Sequence, residues 1–262
     1  MTVVRTFVPS DSDPVSECAR ACQQTGEVSA ESADYQEFIS TSGTFVVSES
    51  NPRILGFAGV VDRSGAAFLS DLFVTPAEQD RGLGRQMLET VWGGTSRRMT
   101  SASQDPRALA LYARYGATPR WRNLYLECDG CAATPNERIV SGVAKPGDCG
   151  WDFPVSNSEL VTLMSSNGEV DAAAVVVLDP SERTLTVLRA VTPEPSSLSM
   201  LLKHLRGSAG PNGVVMMNLP DVHPALDTLG EVRIVDADIW CADDVALSVV
   251  DPTRELPSPA FG

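Results

Sequence analysis

Residues 74 to 91 read VTPAEQDRGLGRQMLETV. An apolar run stopped by proline is followed by Gly82 and Gly84, with Arg81 and Arg85 beside them, and then by an apolar stretch of helical period. Glycines at a helix start let the backbone approach a ligand with no Cβ in the way. The first N–H groups of a helix carry a partial positive charge that favours an anion. The chemistry such a turn supports is phosphate binding. A nucleotide P-loop of the form G-x-x-x-x-G-K-[ST] needs a lysine that this stretch lacks. A dinucleotide fingerprint, G-x-G-x-x-G, needs a third glycine where Met87 stands, and no isolated acidic residue follows about twenty positions on.

With Val74-Thr75-Pro76 closing a strand and Gln79-x-x-Gly82-x-Gly84 after it, the segment resembles the acetyl-CoA loop of the GNAT superfamily of N-acetyltransferases. That family's signature is Q/R-x-x-G-x-G/A after a strand ending in V-x-P. A second stretch, ALALYARYGA at 108–117, is similar to the family's A-x-x-L-Y-x-x-x-G-F, with Ala117 in place of the closing Phe. Recognisable motifs cover residues 2–127; residues 150–245 are covered only by the order of elements.

The resemblance implies that acetyl-CoA is the co-substrate, held at its pyrophosphate by the backbone of Gln79, Asp80, Arg81, Gly82, Leu83, Gly84 and Arg85. It implies that the strand end Phe73-Val74 bonds the pantetheine as an added strand and offers an N–H to the thioester oxygen. Tyr112 is then the acid that protonates the leaving thiolate. The helix start at Asp105–Arg107 holds CoA as well, in the family commonly through an Asn that this chain lacks. The implied reaction is direct attack by an amine in a ternary complex. Asp71, the only acid on its strand, sits in alternation with Leu69 and Phe73. It fits a base acting through water, and equally a carboxylate that orients the substrate or stiffens the strand edge. Tyr115 reads as packing. Arg97 and Arg98 fit either the 3′-phosphate of CoA or solvated charge.

The elements that must position these residues follow from periodicity and punctuation. Strands are expected at 2–8, 44–50, 54–63 and 66–74, with helices opening at Asp13-Pro14 and over 33–40 between the first two. A helix over about 82–93, a strand over 98–103, a helix with Asp105 as N-cap and Pro106 at its first position, and a strand over 121–128 complete one unit. Residues 129–150, rich in glycine, proline and small residues, read as a connection. The second unit has strands at 172–178 and 184–191, a helix at 196–206, a strand at 213–219, a short helix from His223 and a closing strand at 232–242. At an offset of 117 residues Val74-Thr75-Pro76 falls on Val191-Thr192-Pro193, and Ala108-Leu109 on Ala225-Leu226. This points to an internal repeat. The fold class expected is α/β (α+β): two GNAT-like mixed-sheet units in tandem, 1–130 catalytic, 131–150 a linker, and 151–262 a degenerate copy. In that copy Gly82, Gly84 and Tyr112 become Ser199, Leu201 and Leu229, so it should not bind CoA productively. Its expected role is structural, packing on the first unit and walling the acceptor site.

The chain has 262 residues and a net charge of −14. Residues 1–130 carry −4 and residues 131–262 carry −10, while residues 79–122 form a basic island of +5. Nucleic acid is repelled by such a surface, whereas a small anion can settle on the island. The acidic second half suits a cationic acceptor. Lys145 and Lys203 are the only lysines against eighteen arginines, a bias expected of a GC-rich, actinobacterial genome. No run is long enough to span a membrane and no secretory signal opens the chain, so a cytoplasmic protein is expected. Its six cysteines should be free thiols. Cys18–Cys22 and Cys128–Cys131 have ligand-like spacing but lie over a hundred residues apart, and no metal is expected. The two histidines have no serine or cysteine motif near them, against a hydrolase triad. The function expected is N-acetyl transfer from acetyl-CoA to a primary amine of a small molecule. The alternatives are a peptide or protein N-acetyltransferase and a non-catalytic acyl-CoA-binding module. A monomer or homodimer is expected.

Overall fold

The computed structural model describes residues 2–24, 28–133, 136–150 and 152–256. Two compact units divide the described residues: one takes those up to Pro119 with Cys241–Val249, the other Arg120–Trp240 with Val250–Leu256.

In the first unit β1 (Val3–Thr6), α1 (Ser12–Ala21) and α2 (Ala33–Ser42) precede the antiparallel strands β2 (Gly43–Ser50), β3 (Arg53–Arg63) and β4 (Ala66–Val74). Then come α3 (Leu83–Trp92), β5 (Arg98–Ala102) and α4 (Pro106–Ala113). The strands lie in the order β1-β2-β3-β4-β5, antiparallel except for the parallel β4–β5 pair. Alternation along the strands sorts the side chains into two faces. One carries a row of rings, Phe7–Phe45–Phe57–Phe73, with centroids 4.9, 6.1 and 5.4 Å apart; α2 packs here, with Ile39 over Gly59. The other carries Val46, Ala58, Leu72 and Val74 beneath Met87 of α3. α2 and α3 are therefore fixed to the two faces of one sheet.

The second unit holds β6 (Thr118–Asp129), β7 (Ile139–Val143), β8 (Ser158–Met164), β9 (Val170–Asp179), β10 (Thr184–Val191), α5 (Pro195–Ala209), β11 (Val214–Pro220), β12 (Arg233–Ala242) and β13 (Glu255–Leu256). It repeats the order of the first: an antiparallel run β8–β9–β10, a helix, and a strand, β11, parallel to β10 over three residues. Its core is one cluster in which Leu198, Leu201, Leu202 and Leu205 of α5 pack on Val187, Val215 and Leu219.

Several elements depart from the sequence reading. The strand expected to close the first unit, β6, pairs antiparallel with β11 instead. Leu124, Leu126 and Cys128 explain this, because they are buried in the α5 cluster. Cys241–Val249, in turn, belong to the first unit, where the Asp243 carboxylate accepts from the Arg98 N–H at 2.8 Å. Within the stretch read as a connection, β7 pairs with β8. The short helix from His223 is a five-residue 3₁₀ turn, Pro224–Thr228. Among the described residues no helix is long and apolar enough to cross a membrane.

Candidate active site

β4 and β5 are bonded for three residues only, Ala67, Phe68 and Leu69 opposite Arg98, Met99 and Thr100. Past Leu69 the strands part, and among the described residues nothing fills the outer edge of β4 from Ser70 to Val74. The Thr75 N–H donates to Leu55 O at 2.9 Å. Antiparallel bonding alternates from residue to residue, so the Val74 N–H points the other way, into the gap. A cavity of about 580 Å³ opens there, lined by Cys22, Asp71, Phe73, Ser101, Ser103 and Tyr112 among others. A second cavity of about 480 Å³ lies against the phosphate turn, lined by Gln79, Asp80, Gly82, Leu83, Gly84, Arg85 and Arg107. The two share Leu72, Val74, Gln79, Asp105, Ala108 and Tyr112, so they form one cleft that meets at the end of β4.

The turn leaves the first N–H groups of a helix uncapped. Gly82 takes φ +81°, the left-handed region, as the N-cap of α3, and no side chain caps the helix. The first backbone bond of the helix is from the Gln86 N–H to Gly82 O, so the N–H groups of Leu83, Gly84 and Arg85 come before it and lack intrahelical partners. A Cβ on Gly84 would stand 3.8 Å from Val74 Cγ2, an ordinary contact. The protein alone does not demand glycine there; its absence of side chain keeps the cavity wall open. Arg85 and Arg107 line the cavity. Arg107 is steadied by Asp105 at 2.8 Å and Asp80 at 3.5 Å. Arg81 does not line the cavity; it pairs with Glu78 at 2.8 Å. Gln79 Nε2 donates to Val74 O at 3.3 Å and ties the turn to the strand end.

Tyr112 is buried on α4, its ring edge-on to Trp92 at 5.9 Å. The helix starts where the sequence places it, with the Asp105 carboxylate accepting from the Arg107 N–H at 2.8 Å. Arg98 ties the far ends of two helices: its guanidinium donates to Tyr115 O at 2.9 Å and to Trp92 O at 3.3 and 3.4 Å. It is a helix-end clamp, occupied away from the phosphate turn. Tyr115 packs on Trp92 and donates to Glu89 at 3.1 Å.

Asp71 is buried and held by residues that sequence reasoning did not find. Tyr35 Oη on α2 and Ser70 Oγ each donate to Asp71 Oδ2, both at 2.8 Å. Burial pushes the carboxyl up from 3.8 to about 6, against the opposing pull of the two hydroxyls. In the β3–β4 ladder Gly59 faces Asp71 while Val60 faces Leu69, so Ser70 is the extra residue of a β-bulge. The bulge corrects the expected alternation: Asp71 shares a face with Phe73 but lies opposite to Leu69. Gly59 makes room for it, since a Cβ there would stand 2.9 Å from Ser70 Oγ and 3.0 Å from Asp71 Oδ2. A glycine inside a strand is the one sequence signal for this bulge.

In the second unit the matching positions are closed. The first turn of α5 begins at Pro195, two residues after Pro193, so the helix itself replaces the phosphate turn. Leu198, Leu201 and Leu202 stand where Arg81, Gly84 and Arg85 stand in the first unit, and all three are buried. Ser199 is bonded to Thr228 at 2.6 Å. The open edge of β10 is filled as well: β13 pairs there, Ala190 with Leu256 and Val191 with Glu255, and the Thr192 N–H donates to Arg254 O. A buried ion pair, Arg189–Glu255, anchors β13. Among the described residues no cluster of three or more His, Cys, Asp or Glu stands at metal-binding spacing, and all six cysteines are free thiols.

Comparison with known proteins shows which solved structures share this fold. A structure from Pyrococcus horikoshii, described as an acetyltransferase, matches over 100% of this chain and 96% of its own, with a TM-score of 0.73 at 14% identity. A tandem GNAT protein from the clavulanic acid biosynthesis pathway matches over 92% of this chain and 98% of its own, with a TM-score of 0.59 at 13% identity. A GCN5-related N-acetyltransferase from Sphaerobacter thermophilus gives 92%, 95% and 0.58 at 11% identity. The fold is thus the one that these structures share. Residues 41–116 match the family described as the acetyltransferase (GNAT) domain. No curated protein matches the sequence.

Proposed function

We propose that the protein transfers the acetyl group of acetyl-CoA to a primary amine of a small molecule, by direct attack in a ternary complex. The observation that carries this reading is the single cleft at the end of β4. One arm ends on uncapped helix N–H groups, the other on a buried carboxylate, and Tyr112 lies at the junction. Residues 79–85 with Arg107 hold the pyrophosphate, Arg81 adding charge from outside the cavity. The open edge of β4 takes the pantetheine. Asp71 accepts a proton from the ammonium, directly or through water. The freed nitrogen lone pair attacks the thioester carbonyl carbon while the Val74 N–H receives the developing oxyanion. The carbon–sulfur bond then breaks as the Tyr112 phenol protonates the departing thiolate; the nitrogen gives up its second proton, which restores the phenol, and Asp71 returns the first to solvent.

The acceptor arm supports a small cationic amine. Among the described residues its charged lining groups are the carboxylates Asp71 and Asp105, with no lysine or arginine, and about 580 Å³ holds a ligand of modest size. We read the second unit as a scaffold copy without a CoA site, and use of acetyl-CoA suits a cytoplasmic setting. Thiol release from acetyl-CoA, followed against a panel of amines with product mass spectrometry, tests the reading. The expected result is release with a small amine and a product heavier by one acetyl group. No release with any amine would leave only an acyl-CoA-binding module.

A further inference from the structure

The Asp71 carboxylate has two oxygens in different surroundings. Oδ2 accepts from Tyr35 Oη and Ser70 Oγ, both at 2.8 Å. Oδ1 has no donor among the described residues, yet it is not one of the sealed, unpartnered polar atoms of the interior. Since Asp71 lines the acceptor cavity, Oδ1 is the oxygen that opens on it. The anchor is rigid on every side. Tyr35 is buried near the start of α2, and burial together with the carboxylate holds its phenol well above its ordinary range, so it stays a donor. Ser70 is the bulge residue; of the two acceptors within reach of its hydroxyl, Asp71 Oδ2 at 2.8 Å is closer than Gly59 O at 3.2 Å. Ile39 and Gly59 close the space behind.

We propose that Tyr35 and Ser70 are positioning residues of the acetyl-transfer reaction: together they pin one oxygen of Asp71 and present the other to the acceptor amine. This rests on the reading of Asp71 as the base. Two hydroxyls on one oxygen leave the carboxylate a single free face, so proton transfer has a fixed direction. They also moderate basicity. Without them burial alone sets the proton affinity; with them the carboxylate is ionised near neutral pH and able to take a proton from an ammonium. The titratable groups around it are few: Tyr35 from α2, Cys22 at the end of α1, and Tyr112 and Asp105 from α4. The neighbouring strands β3 and β5 contribute Gly59, Thr100 and Ser101, none of which titrates.

The test follows Asp71 itself and the reaction separately. Carboxyl resonances of ¹³C-aspartate-labelled protein are titrated, with Asp71 assigned from the Asp71→Asn variant. The pH profile of kcat/KM is recorded for wild type, Tyr35→Phe, Ser70→Ala and Ser70→Thr. Loss of either hydroxyl should raise the carboxyl titration by about one pH unit and move the acidic limb of kcat/KM upward with it. Ser70→Thr should return both toward wild type, and acetyl-CoA affinity should stay within about twofold throughout. Should Tyr35→Phe fail to fold, the two Ser70 variants carry the test. A carboxyl that titrates as in wild type in both hydroxyl-deleted variants overturns the proposal. A carboxyl that moves while the rate profile stays still overturns it by a different route: the anchor stands, and Asp71 is removed as the base.

Discussion

Replacing Asp71 with asparagine should make the protein more stable and less active at once. Burial raises this carboxyl from 3.8 to about 6 even with two hydroxyls donating to it. Such a rise corresponds to about 3 kcal/mol against the ionised form in the folded protein. Between 3.8 and about 6 the folded state holds a proton that the unfolded chain has released. Stability therefore falls as pH rises through that window and stays level above it. Below the window both states are protonated and no cost remains. Asparagine has nearly the same shape, can still accept from Tyr35 and Ser70, and carries no charge to desolvate. At about pH 8 the Asp71→Asn variant should gain up to about 3 kcal/mol in urea unfolding, or on the order of 5–10 °C in melting temperature. At about pH 4 the gain should largely vanish. Over the same range acetyl transfer should fall by about 10²–10⁴-fold. A variant that is no more stable at pH 8, or equally more stable at both pH values, refutes the buried-carboxylate argument.

Gly59→Ala places a methyl group 3.0 Å from Asp71 Oδ2; it should cost about 1–3 kcal/mol and lower kcat about tenfold or more while acetyl-CoA affinity, measured by calorimetry, is kept. Equal losses in both would mean the bulge also shapes the phosphate turn. Tyr112→Phe should leave CoA binding intact and lower turnover by about 10²-fold or more, and unchanged turnover would remove Tyr112 from the mechanism. Gly82→Ala forces a Cβ into the left-handed region, at about 1–2 kcal/mol; its signature is weaker acetyl-CoA binding with the acceptor-side titration of Asp71 unmoved. Leu256→Ala removes a buried side chain of β13 and should cost about 2 kcal/mol or more, with calorimetry still giving one acetyl-CoA per chain. A second binding site in wild type would contradict a closed slot in the second unit.

The conformation of the glycine turn was legible in the sequence because its determinants are local. A proline stops β4, Gly82 supplies the left-handed residue, and Asp105-Pro106 opens α4; each is a property of a few neighbouring residues. The offset between Val74-Thr75-Pro76 and Val191-Thr192-Pro193 revealed the repeated order of elements for the same reason. What the sequence withheld depends on partners far along the chain. Tyr35 meets Asp71 across thirty-six residues, and nothing in the helix that carries it marks it out. The bulge at Ser70 hides in AAFLSDLFV, where alternation reads the same with or without an inserted residue. The partner of β6 was misread because an apolar alternating strand says that it is buried, not against which neighbour. β13 is two residues long, too short for any period.

That short strand explains how one order of elements, used twice, can leave one open edge and one closed edge. In both units the helix-preceding strand is bonded to its parallel neighbour for three residues and then released. Released edges expose backbone N–H and C=O groups, which must find partners. In the first unit the edge of β4 past Leu69 stays open, and a glycine turn and uncapped N–H groups stand at its end. In the second unit the same edge is satisfied by the chain itself: β13 bonds Ala190 and Val191, the Thr192 N–H takes Arg254 O, and Arg189–Glu255 is buried beside them. Closing the edge removes the need for the turn, so the helix can start early on Pro195 and bury leucines where the first unit keeps glycine and arginine. The loss of the glycines and the gain of β13 are thus two parts of one change, each of which makes the other tolerable. A slot kept open without a ligand loses backbone bonds that a filled one has, and the first unit retains that cost.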